Sequence, residues 1–223
     1  MPRLVLASAS PRRRELLALL GVPFDVEVSA FDEESVSTVG LTPAQWVMRL
    51  AEGKARAVAR ETGDPVVVIG ADTTVVLDGE YLNKPRDAAD ARAMLRRLSG
   101  RTHEVFTGIC VLEGRHGALR YSDTVLHVHT DFAATFVTFD RLSEATIAAY
   151  VATGEPLDKA GAYGIQGAAL AFIPAIQGDY FNVVGLPVEL TRSLLLPYFP
   201  QVWPAPAQPH FPFPEYIPIQ APG

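Results

Sequence analysis

The residues best suited to chemistry in this sequence form one early run, Ser8-Ala9-Ser10-Pro11-Arg12-Arg13-Arg14. A serine followed by proline is the signature of a helix start, the serine capping and the proline filling the first helical position. The arginines then crowd the positive end of the helix dipole, where each exposed cation costs about 0.3–1 kcal/mol. A bound polyanion reverses that sign. Free N–H groups at a helix start, small residues that allow close approach, and guanidinium forks all suit phosphate. The competing reading is a solvated basic helix end lying beside acidic neighbours. The P-loop pattern GxxxxGK[ST] is absent, so a phosphate site here would be of another kind.

Other residues could complete such a site. Asp72 is expected at the C-terminal end of a buried strand, Pro65 to Gly70, and ligands gather at strand ends in α/β sheets. A carboxylate there can act as general base, hold a divalent cation or cap a turn. Asp32, Glu33 and Glu34 form an acidic trio, ordinarily solvated. The trio gains meaning if it shares a cleft with Arg12, Arg13 and Asp72, because Mg²⁺ on phosphates takes one or two carboxylates. Lys54 and Lys84 are isolated lysines of a kind that usually faces solvent, although Lys84-Pro85 falls where a hairpin returns toward Asp72. The loop Asp158 to Gly167 carries Gly161, Gly164 and Gly167, more than a tight turn needs, and reads as backbone shaped for close approach to a ligand.

Other chemistries find little support. The histidines His103, His116, His127, His129 and His210 show no metal-ligand clustering, and His127 and His129 read as surface strand positions. Cys110 lies in an apolar run and is expected in the core. No Ser-His-Asp or Cys-His arrangement can be assembled.

The elements that must position these groups follow from the whole chain of 223 residues, 48% hydrophobic and 20% charged. That composition excludes disorder over most of the chain. A single cysteine excludes a disulfide framework or a Cys-based zinc site. With 19 Lys+Arg against 25 Asp+Glu the net charge is −6, which argues against a nucleic-acid partner. The opening apolar run is too short for a signal peptide and no span suits a membrane, so a cytoplasmic protein without a membrane partner is expected.

Strands are expected at Arg3 to Ala7, Phe24 to Ala30, Pro65 to Gly70 resuming at Val75 to Leu77, His103 to Leu112, Thr124 to Phe139, and on both sides of Gln177-Gly178-Asp179. Helices are expected at Pro11 to Leu20, Pro43 to Glu61, Asp87 to Leu98, Ser143 to Gly154 and Pro187 to Leu196. Asp78-Gly79 reads as a hairpin turn. Nine of the 18 prolines fall from Pro197 onward, so residues 200–223 are expected to form an extended tail on a domain of residues 1–199. The fold class is α/β (mixed α+β).

These motifs together resemble the Maf proteins, nucleoside triphosphate pyrophosphatases. The resemblance runs in order through Ser8 to Arg13, Arg49-Leu50-Ala51 with Lys54-Ala55, and Gly70-Ala71-Asp72-Thr73. It continues through Lys84-Pro85, Met94-Leu95, Leu98-Ser99-Gly100, Asp158 to Gly167 and Val184-Gly185-Leu186-Pro187, covering residues 3 to 196. It implies a twisted mixed sheet with two lobes around a cleft, related to inosine-triphosphate pyrophosphatases. It also implies hydrolysis between the α and β phosphates, with a divalent cation, Mg²⁺ or Mn²⁺. Carried over, Asp72 is the proton acceptor, Glu33 and Asp72 hold the metal, and Ser8, Arg12, Arg13 and Lys54 bind triphosphate while Lys84 neutralises charge.

Arg12, Thr73 and Gln166 resemble the branch acting on dTTP and UTP rather than the one acting on 7-methyl-GTP. A neutral amide and hydroxyl suit a pyrimidine's carbonyl and N–H edge. The stretch Glu113 to Asp131 and the tail depart from the family pattern. A homodimer is compatible with the resemblance, and a nucleotide-sensing regulator of septum formation is the alternative to an enzyme.

Overall fold

A computed structural model describes residues 2–61, 66–116, 123–204, 206 and 207. Helix α2 (Pro43–Glu61) shows how the sequence builds its core. Val47, Leu50, Ala51, Ala55 and Val58 recur at helical spacing and all are buried, forming one apolar stripe. The stripe lies on strands β1 (Arg3–Leu6), β3 (Val66–Leu77) and β5 (Thr102–His116). Val5, Ala7, Val66, Val68, Cys110 and Leu112 meet Ala51, Ala55 and Val58 there. Two glycines set the spacing. A Cβ on Gly70 would overlap the Ala51 carbonyl oxygen, and one on Gly108 would overlap the Val47 carbonyl group. Helix backbone therefore rests directly on strand backbone.

The remaining elements are α1 (Pro11–Ala18), β2 (Asp25–Val26), β4 (Glu80–Leu82), α3 (Ala88–Leu98), β6 (Asp123–Thr138), α4 (Glu144–Ala152), β7 (Ala175–Gln177), α5 (Tyr180–Val184) and α6 (Val188–Leu195). The described strands form one mixed sheet in the order β2-β1-β3-β5-β6-β7, with β4 paired to β3. β1 runs parallel to β3, with Arg3 opposite Val66 and Leu6 opposite Ile69. β4 and β7 run antiparallel to β3 and β6. The mixed α/β class expected from the sequence is what the structure contains.

Capping follows the sequence signals. Ser10 Oγ accepts from the Arg13 amide at 3.5 Å, Asp87 Oδ1 from Asp90 at 2.8 Å, and Ser143 Oγ from Thr146 at 3.1 Å. Asp78 and Gly79 take φ of 54° and 79°, which makes the tight hairpin between β3 and β4.

Three expectations are corrected. β3 does not break at Ala71 to Thr74; it runs unbroken, because β-branched Thr73 and Thr74 keep the backbone extended into the hairpin. β2 spans two residues rather than Phe24 to Ala30, since its partner β1 ends at Leu6 and the ladder has nothing further to pair with. Beyond Gly178 the chain forms α5 rather than a strand, capped by Asp179 Oδ1 accepting from the Phe181 amide at 2.7 Å.

The start of the expected tail is packed: the Trp203 amide donates to the Leu20 carbonyl at 2.9 Å, and its ring covers Gly21 so closely that a Cβ would overlap it. Residues 208–223 and part of the Glu113 to Asp131 stretch lie outside the described residues. No described helix is long and apolar enough to cross a membrane.

The chain divides into two compact units, one of Met1–Asp72, Thr107–Ala133 and Gly185–Ala207, the other built on Thr73–Phe106 and Ala134–Val184. In the second, edge-to-face contacts join His103 to Phe139 and Tyr163, and Phe172 to Phe139 and Tyr150. His103 Nε2 lies 2.8 Å from the Tyr163 hydroxyl. Burial depresses the His103 pKa to about 3. Below about pH 6.5 the unfolded chain therefore takes up a proton that the folded chain refuses. Stability present above that pH is lost at about 1.4 kcal/mol per pH unit as pH falls toward the folded pKa. In urea unfolding, His103→Gln should remove about 2 kcal/mol of the stability loss that the parent protein shows between pH 6 and 4.5. Equal losses in both proteins would contradict the assignment.

Candidate active site

Lys54 occupies a position in the buried stripe of α2, between Ala51 and Val58, rather than the solvent-facing place expected of an isolated lysine. It is 9% exposed. Gly70 and Asp72 share one face of β3, the face toward α2. Gly70 lets Ala51 settle onto the strand, and one helical turn later Lys54 Nζ donates to Asp72 Oδ1 at 2.6 Å. Asp72 is thus not at a strand end but inside a continuous strand, 7% exposed.

The acidic trio is divided by the fold. Asp32 Oδ1 caps the 3₁₀ turn Glu33–Ser35, accepting from the Glu34 amide at 3.1 Å, and Glu34 is exposed. The Phe31 ring lies over Gly53 on α2, where a Cβ would overlap it. That contact brings the next turn of chain to the helix, and Glu33 Oε1 lies 3.0 Å from Lys54 Nζ. One ammonium therefore bridges two carboxylates.

The Ser8 to Arg13 run supplies the opposite charge. Ser8 Oγ is buried and accepts from the Ser10 amide at 3.2 Å and from Arg13 Nη1 at 3.4 Å. Arg13 Nε donates to the Gly185 carbonyl at 2.8 Å. Burial lowers the Arg13 pKa, while the charges of Asp72 and Glu33 pull it back up and Arg12 pushes it down. Arg12, half-buried, stands within electrostatic reach of Arg13, and Arg14 is exposed. Burial raises the Asp72 pKa above the carboxylate norm. Lys54 and Arg13 oppose the rise, and Glu33 adds to it.

Ser8, Arg13, Lys54, Asp72 and Glu33 are therefore gathered in one unit, and of the acidic trio only Glu33 is brought beside the buried aspartate's partner. Lys84 and Gln166, both exposed, and half-buried Thr73 belong to the second unit. The glycine-rich loop has internal reasons for its glycines. Gly161 has φ of 67° and packs on Val75, Gly164 abuts Lys159, and Gly167 abuts Glu155. Exposed His127 and His129 stack at 6.5 Å, Cys110 is buried, and no group of three or more His, Cys, Asp or Glu among the described residues could hold a metal. Glu33 Oε1 and Asp72 Oδ1 converge on the same Lys54 ammonium, at 3.0 and 2.6 Å, and both are hard oxygens of the kind that Mg²⁺ or Mn²⁺ takes. The Gly185 carbonyl was not anticipated as a partner of Arg13. Nor was Lys54 anticipated as buried, although its place in the apolar stripe was readable.

A carboxylate held against an ammonium on a mixed α/β sheet, in the same unit as an arginine-rich helix start, is the charged centre of this chain's first unit. The chain belongs to the Maf-like protein family, which matches residues 3–197. A dTTP/UTP pyrophosphatase of Moorella thermoacetica is 52% identical over 203 residues, 91% of this chain and 98% of that one. Another, of Anaeromyxobacter dehalogenans, is 52% identical over 207 residues, 92% of this chain and 99% of that one. The solved structure of a HAM1 protein from Coxiella burnetii matches 64% of this chain and 75% of its own at 18% identity, with a TM-score of 0.39, a likeness too loose to bear on the site.

Lys54→Met should cost about 3 kcal/mol in urea unfolding at pH 7.5, because it removes the hydrogen-bonded ion-pair partner of a buried carboxylate and leaves only the field of Arg13 to offset its charge. With its folded pKa then further above the unfolded value, Asp72 favours the fold most when protonated, and that favour fades as pH rises through the folded pKa. The deficit should therefore shrink on acidification toward pH 5. A deficit independent of pH would show that Asp72 does not carry the charge.

Proposed function

We propose that this chain hydrolyses dTTP and UTP to the nucleoside monophosphate and pyrophosphate, clearing pyrimidine triphosphates from the cytoplasmic nucleotide pool. Its family and the names of its relatives support the activity, and they favour an enzyme over a non-catalytic nucleotide sensor. The observation that carries the chemistry is the buried Asp72 carboxylate, held by Lys54 and within the field of Arg13.

In this reading the triphosphate docks on Ser8, the positive end of the α1 dipole, Arg12 and Arg13. Asp72 accepts a proton from a water whose oxygen bonds to the α phosphorus. The bond from that phosphorus to the bridging oxygen breaks, and its electron pair leaves on pyrophosphate. Arg12, Arg13 and Lys54 stabilise the charge that builds there, so positioning and electrostatics supply most of the acceleration. A raised pKa suits Asp72 to the work of a base. Glu33 and Asp72 would hold the divalent cation, which when bound neutralises phosphate charge. The family resemblance assigns Lys84 to charge neutralisation, and Thr73 and Gln166 to recognition of the base.

Asp72→Asn should retain dTTP binding and lose pyrophosphate release by about 10²-fold or more, the scale of general-base catalysis. Near-normal release by the variant would remove Asp72 as the base. Intact triphosphate with the parent protein under Mg²⁺ would favour the sensor.

A further inference from the structure

Within the second unit one carboxylate is committed entirely to shaping a loop. Glu155 Oε1 accepts from the Tyr150 hydroxyl at 2.9 Å, and Oε2 accepts from the Ala168 amide at 3.1 Å. The same Tyr150 hydroxyl accepts from the Gly164 amide at 3.1 Å. Both ends of the segment Gly164 to Ala168 are thus tied to a single side chain, directly at one end and through a phenol at the other. The packing is as close as the bonding. A Cβ on Gly167 would overlap the Glu155 carboxylate, and one on Gly164 would come within 2.6 Å of Lys159 Cε.

Lys159 Nζ is occupied in the same assembly, donating to the Glu155 carbonyl and to Asp158 Oδ1, each at 2.7 Å. Ile165 is buried as the anchor of the segment, while Gln166 stands exposed at its tip. Tyr150, 4% exposed, cannot move without disturbing its edge-to-face contact with Phe172.

A loop fixed at both ends with one exposed amide between them is a device for aiming that amide. We infer that Glu155, acting through Tyr150 and the Ala168 amide, is the positioning residue that sets the Gln166 side chain for recognition of the nucleobase. This rests on the reading of Gln166 as the base-selecting residue and adds the group that orients it. Glu155 touches no substrate in this account. Its loss blurs selection rather than stopping hydrolysis.

The test uses the full chain and the ratio of kcat/KM for dTTP over dGTP, read by pyrophosphate release. Gln166→Ala should lower that ratio about tenfold, the loss of one well-placed hydrogen bond. Glu155→Ala should lower it several-fold, mainly through KM for dTTP. In the Gln166→Ala background it should lower the ratio no further, because no aimed amide is left to misplace. Glu155→Gln should preserve the ratio, since an amide can accept from the Ala168 amide and donate to the Tyr150 oxygen. Tyr150→Phe should behave as a weaker Glu155→Ala and serves if that variant folds poorly.

If Gln166→Ala leaves the ratio intact, the base-selection reading falls and the inference falls with it. If Gln166→Ala lowers the ratio but Glu155→Ala does not, or Glu155→Ala lowers it equally without Gln166, the inference alone is overturned.

Discussion

A lysine and an aspartate, both nearly removed from water, meet at 2.6 Å between helix α2 and strand β3. Burying either charge alone costs several kcal/mol, so each residue is tolerated only because the other is there. The pair does not saturate its own electrostatics. Asp72 keeps a raised pKa despite Lys54 and Arg13, and Lys54 divides its charge with Glu33. An arriving phosphate would find an ammonium and a guanidinium already desolvated, and a carboxylate disposed to take a proton. Such preorganised charge supplies catalysis without reorganisation at the moment of reaction.

That pairing depends on the absence of side chains elsewhere. Gly70 and Gly108 admit the α2 backbone to the sheet, and Gly53 admits the Phe31 ring to the helix. With a methyl group at Gly70 the helix would have to lift, and Lys54 would lift with it. Overpacking of this sort typically costs about 1–3 kcal/mol. Here it would also separate the charges that the fold exists to join. The Gly185 carbonyl has a comparable role, holding Arg13 by its Nε while the guanidinium reaches Ser8.

Much of this was legible in the sequence, because the signals are local. Ser10-Pro11 marked the start of α1, Asp78-Gly79 marked the hairpin, and the serine cap at Ser143 marked α4. What escaped was set by partners distant in the chain. Thr73 and Thr74 read as a break because periodicity does not reveal that β3 continues into a hairpin. Phe24 to Ala30 read as a strand because the sequence does not say where the neighbouring β1 runs out. Lys54 read as solvated because a lysine is usually so, although its place among Ala51, Ala55 and Val58 contradicted that default. Gly164 and Gly167 read as room for a ligand, yet the room is filled by Lys159 and Glu155.

The measurement that tests the account most directly is hydrolysis of dTTP in ¹⁸O-labelled water, followed by ³¹P NMR of the products. Attack on the α phosphorus, with pyrophosphate departing, places the heavy oxygen on the thymidine monophosphate and leaves the pyrophosphate unlabelled. Label in pyrophosphate, or release of inorganic phosphate with thymidine diphosphate, would mean that the charges around Asp72 serve a different reaction.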